Sequence, residues 1–175
     1  SSFNKSGGTL ITKEDNSLES ALISGITCSN DDSKIILRNV PDTPGIAAKI
    51  LSPISEAGID VDVIVQNVGS DKSTDFTFTV KNDLSEKAAK ILKDLTEGFG
   101  GGEVELVKDV SKVSVVGVGM KSHAGVAAQM FGALANKKIN IDMISTSEIK
   151  ISVVVAKDKA EQAVIALHDE FDLDK

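Results

Sequence analysis

Two short stretches carry residue types that could hold a small charged molecule. Gly45-Ile46-Ala47 and Gly125-Val126-Ala127 each open a helical pattern. A helix start presents unpaired N–H groups and the positive end of the helix dipole, which suits a carboxylate. Glycine there removes a Cβ and lets a ligand approach the backbone. Asp carboxylates and strand carbonyls suit an ammonium. Read without a ligand, Asp42 is a turn residue, Asp62 and Asp142 are solvated strand-end charges and Gln66 is an edge-strand polar group. Catalysis has less support. Gly117-Val118-Gly119 hints at a dinucleotide loop, but its spacing to Gly125 does not fit Gly-x-Gly-x-x-Gly. His123, His168 and Cys28 stand too far apart for a metal site, and no nucleophile–base pair or carboxylate cluster is visible. His123 reads as a loop residue. Cys28, in the apolar run Leu22 to Cys28, reads as a small buried hydrophobe.

The elements that must position these residues come in two copies. Gly45 and Gly125 lie 80 positions apart, and the same offset aligns Ile59-Asp60-Val61-Asp62-Val63-Ile64 with Ile139-Asn140-Ile141-Asp142-Met143-Ile144. In the first copy, Lys34 to Val40 reads as a strand. Thr43 is the expected N-cap of a helix with Pro44 at its first position, and Ile46, Ile50, Leu51 and Ile54 form its apolar stripe. Pro53 predicts a kink or a short last turn, and Gly58 a stop. Strands follow over Ile59–Val68 and Thr74–Lys81. A helix over Leu84–Glu97 with Ala88, Ile91, Leu92 and Leu95 inward precedes a glycine break and a strand over Glu103–Lys108. The second copy repeats this order. A strand over Lys112–Val118 leads to a helix capped by Ser122 or His123 with Val126, Met130, Phe131 and Leu134 inward. Strands over Asn140–Ser147 and Lys150–Ala156 then precede a helix over Asp158–Phe171 with Ala160, Val164, Leu167 and Phe171 inward. The order is β-α-β-β-α-β, the ferredoxin-like split βαβ of an α+β fold. The second copy lacks its fourth strand, and the leftover segment Ala21–Ser29 is expected to supply it. The domains are then a leading linker over 1–20, a first module over 34–110, and a second module over 21–29 and 111–175, with the first inserted into the second.

Composition narrows the partners. The chain has 175 residues, a net charge of −7 and six aromatic residues, all Phe. That charge, without basic runs, argues against nucleic acid and anionic membrane. A single cysteine forbids an internal disulfide, and neither a signal peptide nor a bilayer-spanning run is visible, so a reducing cytoplasmic setting is expected.

The motifs now on the page resemble the regulatory region of bacterial aspartate kinases, over nearly the whole chain. The resemblance rests on Val40-Pro41-Asp42-Thr43-Pro44-Gly45, Val65-Gln66-Asn67-Val68, Asp75-Phe76-Thr77-Phe78-Thr79, the run from Lys112 to His123, and Ile144-Ser145-Thr146-Ser147-Glu148. Ser1-Ser2-Phe3-Asn4 and Gly8-Thr9-Leu10-Ile11-Thr12 are similar to the end of that family's kinase domain and its outgoing linker. The resemblance implies tandem ACT domains that bind threonine, lysine or both and thereby inhibit aspartate phosphorylation. No cofactor is expected in this chain, since ATP and magnesium would bind a kinase domain whose motifs are absent from it. Partners would be that catalytic domain or an alpha subunit, and a second copy in a homodimer. With the family's modules side by side and each ligand between them, one site is expected to pair Asp42 and Ala47 with Asn140, Ile141, Ser147 and Glu148. The other pairs Val126 and Ala127 with Asp60, Val61, Asp62 and Gln66. The rival reading is an ACT-type dimerisation module without its own effector.

Overall fold

The computed structural model describes residues 22–69, 73–99, 102–118, 120 and 124–173. The expected linker and the Ser122 or His123 cap lie outside the described residues. Six strands and four helices are described: β1 (Leu22–Pro41), α1 (Ile46–Glu56), β2 (Ile64–Val68), β3 (Ser73–Lys81), α2 (Asn82–Gly98), β4 (Glu103–Val118), α3 (Ala124–Asn136), β5 (Met143–Thr146), β6 (Lys150–Ala156) and α4 (Ala160–Glu170). A 3-10 turn over Lys157–Lys159 leads into α4. The strands form one sheet in the order β2-β3-β1-β4-β6-β5.

Two strands run through both copies, where shorter separate ones were expected. The C-terminal half of β1 pairs with β3 from Asp32 to Pro41 and with β4 from Lys34 to Arg38. Its N-terminal half, Leu22 to Ser29, pairs antiparallel with Lys112 to Val118, beside β6. The polar stretch Ser29-Asn30-Asp31-Asp32-Ser33 reads like a loop, yet β-bulges on either side of Asp32 carry the strand through it. Each half of the sheet thus has the ferredoxin-like arrangement of four strands and two helices.

Apolar spacing builds one core per half. Ile46, Ile50 and Ile54 of α1 and Ala88 and Leu92 of α2 cover Ile35, Leu37, Phe76, Phe78 and Val80. Met130 and Leu134 of α3 and Ala163 and Leu167 of α4 cover Val113, Val115, Ile151, Val153 and Val155. A third cluster lies elsewhere: Val63, Val110, Met143 and Val154, with Val65 and Val107 against them. Val110 and Val154 alternate with the residues that face the helices, so this cluster sits on the other side of the sheet. It joins the approach to β2 with β5, at opposite edges of the sheet order. The sheet therefore curls, and its halves meet along a seam.

Several boundaries differ from expectation. Thr43 does not cap α1. Gly45 holds that position at φ 90°, Ile46 N–H donates to Thr43 O (3.1 Å) to close the preceding turn, and no side chain caps the helix. Pro53 stands inside α1, which ends three residues later, and Gly58 follows at φ 71°. Ile59–Val63 is extended rather than laddered, attached to β3 by Asp62 N–H to Thr79 O (3.0 Å) and Thr79 N–H to Val63 O (3.1 Å). The strand expected over Asn140–Ser147 is reduced to β5. Cys28 is exposed, not buried. Among the described residues its part of β1 has β4 on one side only, because β3 first pairs at Asp32.

Candidate functional site

The uncapped start of α1 opens onto a hollow of about 430 Å³ lined by Asp42, Thr43, Pro44, Gly45, Ile46, Ala47 and Gln66. Gly45 takes a left-handed conformation, and the space where its Cβ would stand is empty to 4 Å. Ile46 is buried and anchors the turn in the core, while Asp42 and Gln66 are exposed. Gln66 reaches the hollow because it stands opposite Phe76 in the ladder, on the helix-bearing face of edge strand β2. A carboxylate set against the α1 amides, with the Gln66 amide and the Asp42 carboxylate beside it, is the chemistry this hollow offers.

A second hollow, about 200 Å³, is lined by Asp60, Val61 and Asp62 together with Asp32, Thr79, Val80, Lys81 and Lys112. Lys112 pairs with Asp62, and Lys81 Nζ lies 3.0 Å from Asp32 Oδ1. A third, about 340 Å³, lies across the seam and is lined by Val65, Asn67, Thr77, Ile141, Asp142, Met143 and Ile144. Asn140 is exposed, and its Nδ2 donates to Asp142 Oδ1 (3.4 Å). Ser147 and Glu148 are exposed in the turn before β6. Ser147 N–H donates to Lys150 O (2.8 Å), and Glu148 O accepts from Met120 N–H (3.2 Å). Val126 is buried in the second core, and Ala127 is partly buried against it.

The two groupings drawn from the sequence do not form within one chain. Gln66 joins Asp42 and Ala47 rather than Val126 and Ala127, and Asp60–Asp62 join Lys112. The cause is the antiparallel pairing of β1 and β4. Pro41, just before Asp42, ends β1 beyond the Arg38–Glu103 pair, whereas Val118 ends β4 opposite Leu22. The α1 and α3 starts consequently leave opposite ends of the central strands. Sequence reasoning missed Lys34, Asp32, Lys81 and Lys112. One signal was available, because Ser33-Lys34 and Ser111-Lys112 open the corresponding first strands of the two copies.

Among the described residues no three His, Cys, Asp or Glu side chains are grouped to hold a metal. Although Cys28 is exposed, partial desolvation by its neighbours, and then the Asp32 charge, push its thiol up and away from thiolate character. No described helix is long and apolar enough to cross a membrane.

Comparison with known proteins gives the family. ACT domain models match residues 35–97 and 113–171. An aspartate kinase of Pseudomonas putida is 55% identical over 174 residues, covering 99% of this chain and 42% of that protein, so the chain spans under half the length of this curated relative. The ligand-free regulatory subunit of aspartate kinase from Thermus thermophilus superposes with a TM-score of 0.82 at 41% identity, covering 86% of this chain and 99% of that one. A chain from a structure of aspartokinase alpha and beta subunits gives a TM-score of 0.80 at 42% identity, with the same coverage.

Proposed function

From a chain that belongs to the aspartate kinase family as its regulatory part, built of two ACT domains, we propose an amino-acid sensor for feedback control of aspartate phosphorylation. The effectors are threonine, lysine or both, and the controlled step opens lysine, threonine and methionine biosynthesis. The observation that carries this reading is the hollow where the uncapped α1 start, Gly45 and Gln66 meet. It offers amide N–H groups to the effector carboxylate, and Asp42 to its ammonium.

The remaining candidate residues complete such sites between two copies of the chain. Among the described residues β2 and β5 are the edges of the sheet, and Ile64, Val68 and Ile144 on them are 45%, 66% and 45% exposed. Edge-to-edge pairing of two copies would satisfy the open ladder groups and cover these side chains. Pairing of β2 of one copy with β5 of the other would also bring the α1 hollow of the first towards Asn140, Ile141, Ser147 and Glu148 of the second. We read the first module as inserted into the second, because Leu22–Ser29 pairs with Lys112–Val118. The catalytic domain or alpha subunit that receives the signal holds ATP and magnesium, a partnership supported by the likeness to aspartokinase alpha and beta subunits.

An effector that bridges two modules favours one relative arrangement of them, and the kinase reads that arrangement as a population shift. The same exposed edge side chains favour a second reading, a dimerisation module with no effector of its own. Thermal unfolding with threonine and with lysine separates the two. A binder gains about 2.7 kcal/mol at a hundredfold excess over Kd, whereas an unchanged melting temperature with both amino acids supports the dimerisation module.

A further inference from the structure

We infer that Lys34 and Lys112 form a reciprocal brace that fixes the angle between the two halves of the molecule. Lys34 stands on β1 and its Nζ lies 2.6 Å from Asp142 Oδ2, just before β5. Lys112 stands on β4 and pairs with Asp62, just before β2. Each bond thus ties the first strand of one module to the approach of the second strand in the other. The residues of each pair lie 108 and 50 positions apart, so neither pair is a by-product of local chain geometry.

The surroundings make the bonds effective. The Lys34 and Lys112 side chains are only 12% and 17% exposed. They reach across the seam that holds Val63, Val110, Met143 and Val154. Their partners Asp142 and Asp62 are 30% and 49% exposed, so it is the lysine end of each pair that is sheltered from salt. The continuous β1–β4 ladder and one small apolar cluster keep the halves together, but apolar contact is non-directional and opposes rotation about that ladder poorly. Two directed bonds running in opposite senses across it oppose rotation about the β1–β4 pair.

The brace also reaches the candidate effector residues, and this consequence rests on the proposed function. Asp142 directly follows Asn140 and Ile141, and Asp62 directly follows Asp60 and Val61. Lys34 and Lys112 are in that sense positioning residues, since they hold the segments whose backbone would meet the ligand.

The test uses the whole chain with Cys28→Ser and spin labels on Lys90→Cys and Gln162→Cys, exposed positions of α2 and α4. Dipolar spectroscopy reads the distance between the modules. The brace predicts one narrow distribution for this background, a broad one for added Lys34→Met, and a narrow one again for Lys34→Asp with Asp142→Lys. Asp142→Asn serves as the second loosening variant should Lys34→Met lose its circular-dichroism signature. A distribution as narrow in a folded loosening variant as in the background overturns the brace. Calorimetric titration with threonine and lysine adds the ligand arm, where Lys34→Met weakens binding by about tenfold and the charge swap recovers it. Should the unmodified chain bind neither amino acid, the proposed function fails while the distance measurement still decides the brace.

Discussion

Lys81 Nζ lies 3.0 Å from Asp32 Oδ1, while Oδ2 of the same carboxylate, buried between β3 and β4, has no hydrogen-bond partner among the described residues. A buried carboxylate that depends on one half-exposed cation is a sensitive point. Lys81→Met strands the charge and is expected to destabilise the protein by about 2 kcal/mol. Asp32→Asn keeps the shape without the charge and costs less. Chemical denaturation of both variants checks the order.

The same pair gives a pH dependence. The hydrogen bond to Asp32 is the main influence raising the Lys81 pKa above the ordinary lysine value, with partial desolvation opposing it and acidic neighbours reinforcing it. A raised folded-state pKa means that folding favours the protonated amine. This contribution is complete below the ordinary lysine range and is lost as pH climbs through the raised value. Stability followed by denaturation across alkaline pH should therefore fall more steeply in the parent than in Lys81→Met.

Ser114 Oγ and Ser152 Oγ are 2.8 Å apart and buried between β4 and β6. Replacing either serine by valine leaves the other hydroxyl without this partner, at about 1–3 kcal/mol. Replacing both removes the unmet group, so the double variant should lie close to the parent. A double-mutant cycle by urea denaturation reads the difference directly.

Shared strands predict shared unfolding. Leu92 belongs to the first core and Leu134 to the second, and both are fully buried. Either one changed to alanine should cost about 2–5 kcal/mol, and both should lower one common calorimetric transition. Two separated transitions would show that β1 and β4 do not couple the halves.

The helices and their buried faces were legible because apolar periodicity is local. Ile46, Ile50 and Ile54, then Ala88 and Leu92, then Met130 and Leu134, all turn inward as their spacing predicts. The continuity of β1 was not legible. Ser29 to Ser33 carries loop-like side chains, and the ladder that holds it straight comes from β3 and β4, far away in sequence. The candidate site was legible in its chemistry and not in its grouping. Gln66 joins Asp42 through the edge position of β2; the repeated Ser-Lys marks Lys34 and Lys112, but not their partners, which lie 108 and 50 positions away. Thr43 and Pro44 suit a helix start by type, but the turn closed by Ile46 N–H shifts that start two residues onward.

Calorimetric titration of the chain with threonine and lysine decides whether the α1 hollow takes a free amino acid. The parent should bind at least one of them, and Gln66→Phe, which fills the hollow from exposed strand β2, should lose that binding while its melting temperature stays close to the parent's. Binding by Gln66→Phe as tight as that of the parent would contradict the assignment.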